Sequence, residues 1–434
     1  MNKTRINDRM RYLQELFGNI RSMRYAYLKY FYPRIEDIGA RTDVDMVIDF
    51  KDLDEWKTLI QNHPSLLKSQ CREFDHAAYF ELYFQDGSYL DIDLIYKIRR
   101  KQVIFMDVEE VLDMAQMNVE QVKVANTVHS FEYLILFYGL NDAEVPEKYR
   151  SYFEQLPELA QEDILDHLQA KFPGVFPSAA DLFDIGDRAE WVLSNLEQMP
   201  ANKGLSALQN QWAWMRDSFS RTRPTITFSG VDGAGKSTIL EMTKKLLEEK
   251  YRQEVTVLRL RPSILPILSS LKYGKKGAEA RAASSLPRQG NNQNVLASWM
   301  RFGWYYLDYL IGQPLVKLRH NRRGRILLYD RYFYDFIVDP KRANLKINTR
   351  AVKGMFGWIN KPRLNILLYA DPEVILARKK ELSADDIQHL TKGYLNLFET
   401  LEREHPNCIY LKINNRDLAK TMELIESTIV KEVF

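Results

Sequence analysis

Thr225-Ile226-Thr227-Phe228-Ser229-Gly230-Val231-Asp232-Gly233-Ala234-Gly235-Lys236-Ser237-Thr238 decides how the second half of this chain folds. Its first five residues, rich in β-branched and aromatic side chains, predict a short buried strand. Gly-x-x-x-x-Gly-Lys-Ser follows at once, and Ile239, Leu240, Leu246 and Leu247 predict an amphipathic helix beyond it. Strand, glycine-rich loop and helix in that order form a phosphate-binding loop. Glycines let backbone N–H groups close around phosphate oxygens, and the helix N-terminus adds partial positive charge. Lys236 reaches the β/γ-phosphates and Ser237 can ligate Mg²⁺. ATP and Mg²⁺ are therefore the expected cofactors, with Gly230, Gly233, Gly235, Lys236, Ser237 and Thr238 as their binding residues.

Working outward, further aliphatic strands are predicted at Val255 to Leu260, Ile326 to Tyr329, Leu364 to Tyr369 and Ile409 to Ile413, separated by helical sequence. That alternation predicts an α/β unit: a doubly wound, parallel, five-stranded sheet with helices on both faces. Upstream the pattern differs. A helix is expected from Asp8 to Ile20, strands at Val44 to Asp49 and Tyr89 to Ile95, and mostly helices from Val108 to Leu196, which together read as an α+β unit with a helical extension. Polar sequence with a Trp-containing helix places a linker at 201–222, between units at 1–200 and 223–434. Leu271 to Asn294, with Lys272, Lys275, Lys276, Arg281 and Arg288, reads as a mobile basic loop.

The loop from Phe228 to Thr238 resembles that of thymidylate kinases, where an acidic residue holds the place of Asp232. Tyr329-Asp330-Arg331-Tyr332 is similar to the Asp-Arg-Tyr/His segment of that family, and Leu364 to Ala370, followed by Asp371-Pro372-Glu373 and Ile375 to Glu381, to its strand and lid entry. The resemblance implies phosphoryl transfer from ATP to a nucleoside monophosphate or related small acceptor. Asp232, Lys236, Arg331 and Arg378 would be catalytic, and Asp330 would join Ser237 at Mg²⁺. Arg261, Arg301 and Arg331 would meet the acceptor. Phe333 to Asp339 replaces the family's small polar residues, which leaves the acceptor's identity open.

In the first half, Asp43-Val44-Asp45 places two carboxylates on one strand face, and Asp91 and Asp93 share a face likewise. Converging carboxylates are what two-metal nucleotidyl transfer uses. Ile38 to Ile48 with Tyr89 to Ile95, followed by Lys148-Tyr149-Arg150, resembles the nucleotidyltransferase superfamily that includes DNA polymerase β. That resemblance implies Asp43, Asp45 and Asp93 as metal ligands, with Asp91 the lesser choice for the third. The superfamily's upstream Gly-Ser pair is not present in a matching position. The run Lys97 to Lys101 reads as a solvated face, and His76 and His129 as structural.

Composition narrows the alternatives. Hydrophobic residues at 45% and charged residues at 27% of 434 positions fit globular units with sizeable cores. Two distant cysteines, Cys71 and Cys408, fit a reducing cytoplasm and exclude a cysteine zinc site. A net charge of +3 from 61 basic and 58 acidic residues gives no global field for nucleic acid, and no run is long and apolar enough for a membrane span. The expected partner is a small acceptor, a nucleotide or phosphorylated metabolite, with a homodimer left open. Two other functions stand beside the kinase: kinase and nucleotidyltransferase halves acting in sequence, and a nucleotide-responsive binding or assembly factor whose first half has lost its chemistry.

Overall fold

Thr225–Ser229 is the central strand of a five-stranded sheet, flanked in order by Ile326–Asp330 and Val255–Arg259 on one side and by Leu364–Tyr369 and Ile409–Asn414 on the other. Every pairing is parallel, so each connection must cross the sheet. The helices Lys236–Lys245, Val295–Asn321, Pro372–Arg378, Ala384–Glu404 and Leu418–Thr428 lie in these connections or after the last strand. Strand order reverses about Thr225–Ser229, and ligands in open parallel sheets bind outside the carboxyl ends of strands at such a reversal. The glycine-rich loop occupies that place. All five residues of its strand are buried, as a central strand covered on both faces requires.

The computed structural model describes residues 7–184, 186–220, 223–265, 294–321, 323–379 and 381–434. The basic stretch expected to be a loop lies outside the described residues except for Asn294. Two compact units divide the chain, Met1–Asp217 and Ser218–Phe434. Among the described residues, no helix is long and apolar enough to cross a membrane.

The first unit is built on a mixed sheet of seven strands, in the order Leu66–Glu73, Ala77–Phe84, Tyr89–Ile95, Val44–Ile48, Tyr25–Tyr27, Lys123–Val124 and Gln116–Met117. One face packs on the helices Asp8–Asn19 and Leu53–Gln61 through Leu13, Phe17, Trp56 and Ile60. The other, carrying Val47 and Ile95, packs with the helical extension through Phe131, Leu134 and Ile135. Because side chains alternate along a strand, Asp45 shares its face with Val47 and Asp93 with Ile95.

The stretch expected as a linker contains the helix Gly204–Ser220. Asp217 on it accepts from Arg99 Nη2 at 2.7 Å and both groups are buried, so Arg99 belongs to the interior of the first unit rather than to a solvated basic face.

Candidate functional site

Three glycines set the shape of the loop. Gly230, Gly233 and Gly235 have φ of 135°, 88° and 90°, where a side chain is strained. Space forbids one as well: a Cβ on Gly230 would run into the Leu368 carbonyl, one on Gly233 would lie 2.9 Å from Ile375 Cγ2, and one on Gly235 would collide with Asn415 Nδ2. Asn415, the residue after the last strand, fixes the loop by donating to the Ala234 carbonyl at 2.9 Å, while Thr421 donates to its Oδ1 at 3.1 Å. Gly235 then caps the helix Lys236–Lys245, whose first turn leaves Ser237 and Thr238 exposed.

Charge gathers around Asp232. Arg331 Nη2 donates to its Oδ1 at 2.5 Å, Arg342 Nη1 donates to its Oδ2, and Lys236 Nζ lies 3.9 Å away. Burial opposes the Asp232 charge, but Arg331, Lys236 and Arg342 outweigh it and hold the carboxyl at about 2. Lys236 responds oppositely. Its ammonium donates to the Val231 carbonyl at 2.7 Å, and burial, assisted by Arg331 and opposed by Asp232, brings it down to about 7.

Arg331 follows directly on the strand Ile326–Asp330 and has a φ of 73°, a left-handed conformation that costs a non-glycine residue about 1–2 kcal/mol. Its N–H donates to the Phe228 carbonyl at 2.8 Å, joining it to the loop strand. Nη1 donates to Asp335 Oδ2 at 2.6 Å and to the Gly230 carbonyl at 3.3 Å. Asp335 is steadied by Tyr394, whose hydroxyl donates to Oδ1 at 2.9 Å. Burial disfavours the guanidinium charge, yet Asp335, Tyr394 and Asp232 raise its pKa well above the ordinary arginine value. Three cationic side chains thus surround two carboxylates, an arrangement with positive charge to spare for a phosphate.

The other expected residues fall in different surroundings. Arg378 ends the helix Pro372–Arg378 and is exposed, with Nη1 3.7 Å from where a Gly235 Cβ would sit, so it stands beside the loop. Asp330 is half-buried at its strand end, with Oδ2 3.8 Å from Arg259 Nε. Arg301 Nη1 donates to the Asn344 carbonyl at 3.3 Å. Arg261 is buried: its Nη1 donates to Asp308 Oδ2 at 2.6 Å, and its guanidinium lies over the Tyr305 ring. Asp308 also accepts from the N–H groups of Ser263, Ile264 and Leu265, so this pair staples the chain after the second strand. Phe302, Tyr332, Phe333 and Tyr334 are core residues, whereas Trp304 and Tyr305 are only partly buried. Sequence reasoning missed Arg342, Asp335 and Asn415. Only Asp335 is near in sequence to its partner, four positions after Arg331, although Arg331 precedes the helix Tyr334–Val338.

The first unit brings its expected carboxylates together. Asp45 and Asp93 are register partners on adjacent parallel strands, and Asp43 immediately precedes the first of these. Burial, then Asp45, Asp91 and Asp43, push the Asp93 carboxyl well above the usual range. Lys29, which sequence reasoning also missed, pairs with Asp45 and lies 4.0 Å from Asp43. Burial works against its charge, but Asp45 and Asp43 hold its pKa well above the ordinary lysine value. Among the described residues, no group of three or more His, Cys, Asp or Glu side chains is arranged to hold a metal ion. No protein-family model matches the chain.

Proposed function

We propose that the C-terminal unit is a P-loop kinase that transfers the γ-phosphoryl group of ATP to a nucleoside monophosphate or related small acceptor, as thymidylate-kinase-like enzymes do. The observation that carries this reading is the convergence of Lys236, Arg331 and Arg342 on Asp232, within a loop whose glycines admit no side chain. The loop's N–H groups and the helix N-terminus receive the nucleotide phosphates. Lys236 exchanges the Val231 carbonyl for phosphate oxygens. Ser237, exposed in the first helical turn, and Asp330 at the neighbouring strand end would hold Mg²⁺, which supplies neutralisation of phosphate charge when bound with ATP. Asp232 orients the acceptor and keeps Arg331 and Arg342 aimed at the same point. Arg378, exposed beside the loop, neutralises charge on the group in flight.

Purified chain given ATP and a panel of nucleoside monophosphates and phosphorylated metabolites should convert at least one acceptor, as read by mass spectrometry. Lys236→Ala should abolish that conversion. Turnover indifferent to Lys236→Ala refutes the kinase reading, and tight ATP binding with no acceptor turned over would favour a nucleotide-operated binding factor instead.

A further inference from the structure

The carboxylates of the first unit pose a question that the kinase reading does not touch. Asp43, Asp45 and Asp93 have the residue types of a two-metal site, and strand pairing sets Asp45 directly opposite Asp93. A Mg²⁺ there would need oxygen ligands at about 2.0–2.1 Å, converging on one point. In this fold that point already has a tenant. The Lys29 ammonium pairs with Asp45 Oδ2 and lies 4.0 Å from Asp43 Oδ2, with side-chain exposures of only 13% for Lys29 and 5% for Asp45.

The backbone holds Lys29 in place. The strand Tyr25–Tyr27 pairs antiparallel with Val44–Ile48, with Tyr27 opposite Met46. Immediately after it, the Leu28 N–H donates to the Asp45 carbonyl at 2.9 Å. The residue bearing the ammonium is therefore hydrogen-bonded, through its neighbour, to the residue bearing the carboxylate. Tyr27 tightens the same junction by donating from its hydroxyl to the Asp43 carbonyl at 3.1 Å. A divalent ion between Asp43 and Asp45 would face a fixed positive charge within a few ångströms, at a depth where water screens it poorly.

We propose that Lys29 is a built-in counter-ion that takes the place of a divalent metal between Asp43 and Asp45, so that the first unit does not carry out two-metal nucleotidyl transfer. The residues do not fit the group that their spacing suggests. A lysine beside Asp45 also explains how that carboxylate is accommodated in the interior, whereas Asp43 keeps 33% exposure: removing one partner of a buried pair leaves the other charge uncompensated.

Mn²⁺ titration of the nucleotide-free full-length chain, followed by the electron paramagnetic resonance signal of free Mn²⁺, tests this. Wild type and Asp45→Asn should bind Mn²⁺ indistinguishably. Lys29→Met should gain a site at least about tenfold tighter than any in wild type, because an unshielded carboxylate pair attracts the cation, and Lys29→Met/Asp45→Asn should lose it again. Wild-type Mn²⁺ binding that Asp45→Asn abolishes overturns the proposal, and so does a folded Lys29→Met chain that gains no site. Should either single variant fail to fold, Lys29→Met/Asp45→Asn, which removes both charges, takes its place: it should bind Mn²⁺ as wild type does, and a site present in wild type but lost in the double variant overturns the proposal.

Discussion

The proton on Lys236 makes a quantitative demand on nucleotide binding. With its pKa brought down to about 7, the free protein carries the ammonium in only half its molecules at that pH, whereas ATP phosphates require the charged form. Apparent affinity scales with the competent fraction. At about pH 9 that fraction is about one in a hundred, so Kd should rise about fiftyfold between about pH 7 and 9, equivalent to about 2.3 kcal/mol. Phosphate groups, with a second pKa of about 6, are already ionised across this window and contribute little. Titration of a fluorescent, non-hydrolysable ATP analogue reads the effect directly, and calorimetry in two buffers should find close to one proton taken up per nucleotide at about pH 8. Lys236→Arg keeps its charge throughout and should flatten the profile. The sign for stability is opposite. A lysine whose folded pKa lies below its unfolded value penalises the folded state most at low pH, so the nucleotide-free unit should become more stable as pH rises from about 7 towards 10. A wild-type Kd that is flat from pH 7 to 9, or an equal slope in Lys236→Arg, refutes the reasoning.

Gly235→Ala combines a φ of 90° with a collision against Asn415 Nδ2, and should cost about 1–3 kcal/mol of stability by chemical denaturation together with measurable nucleotide affinity; a silent substitution would show that the loop adapts freely. Arg342→Gln removes one of the three cations at Asp232, and should raise the acceptor KM about tenfold or more while the ATP Kd changes less than threefold, as charge-assisted contacts of about 1.5–3 kcal/mol imply; equal losses for both ligands would place Arg342 on the nucleotide instead.

The loop and its strand are legible because their constraints are local. Thr225–Ser229 and Leu364–Tyr369 have the expected bounds, since β-branched, aromatic and aliphatic residues dominate both, and Gly230 and Asp371-Pro372 mark where they end. Two adjoining strands extend by one polar residue, at Asp330 and Asn414, and Val255–Arg259 stops one residue short of the expected end, where Leu260 turns to a φ of 59°. Leu66–Glu73 and Ala77–Phe84, by contrast, went unread. The first is partly buried and nearly patternless, and the second is buried almost throughout, so neither alternates clearly. Side-chain clusters were harder still. Arg342 reaches Asp232 across 110 positions of sequence, and Lys29 meets Asp45 only because antiparallel pairing folds one segment over the other. No spacing rule records such encounters, whereas Arg331 and Asp335 lie only four positions apart.

The same ingredients, carboxylates and cations buried together, carry different meanings in the two units. At Asp232 the cations outnumber the carboxylates, and the helix N-terminus adds further positive character. Burial relieves part of that surplus by favouring the neutral form of Lys236, and the two arginines leave the remainder suited to an anion. Around Asp45 the carboxylates outnumber the ammonium, yet the surplus is reduced in another way: burial and the neighbouring acids favour the protonated form of Asp93, and Lys29 balances Asp45. On the proposal made for Lys29, its ammonium stands where a metal between Asp43 and Asp45 would lie. The overall charge of +3 averages over both situations, and on the kinase reading it is the local surplus at Asp232 that would draw the charged ligand.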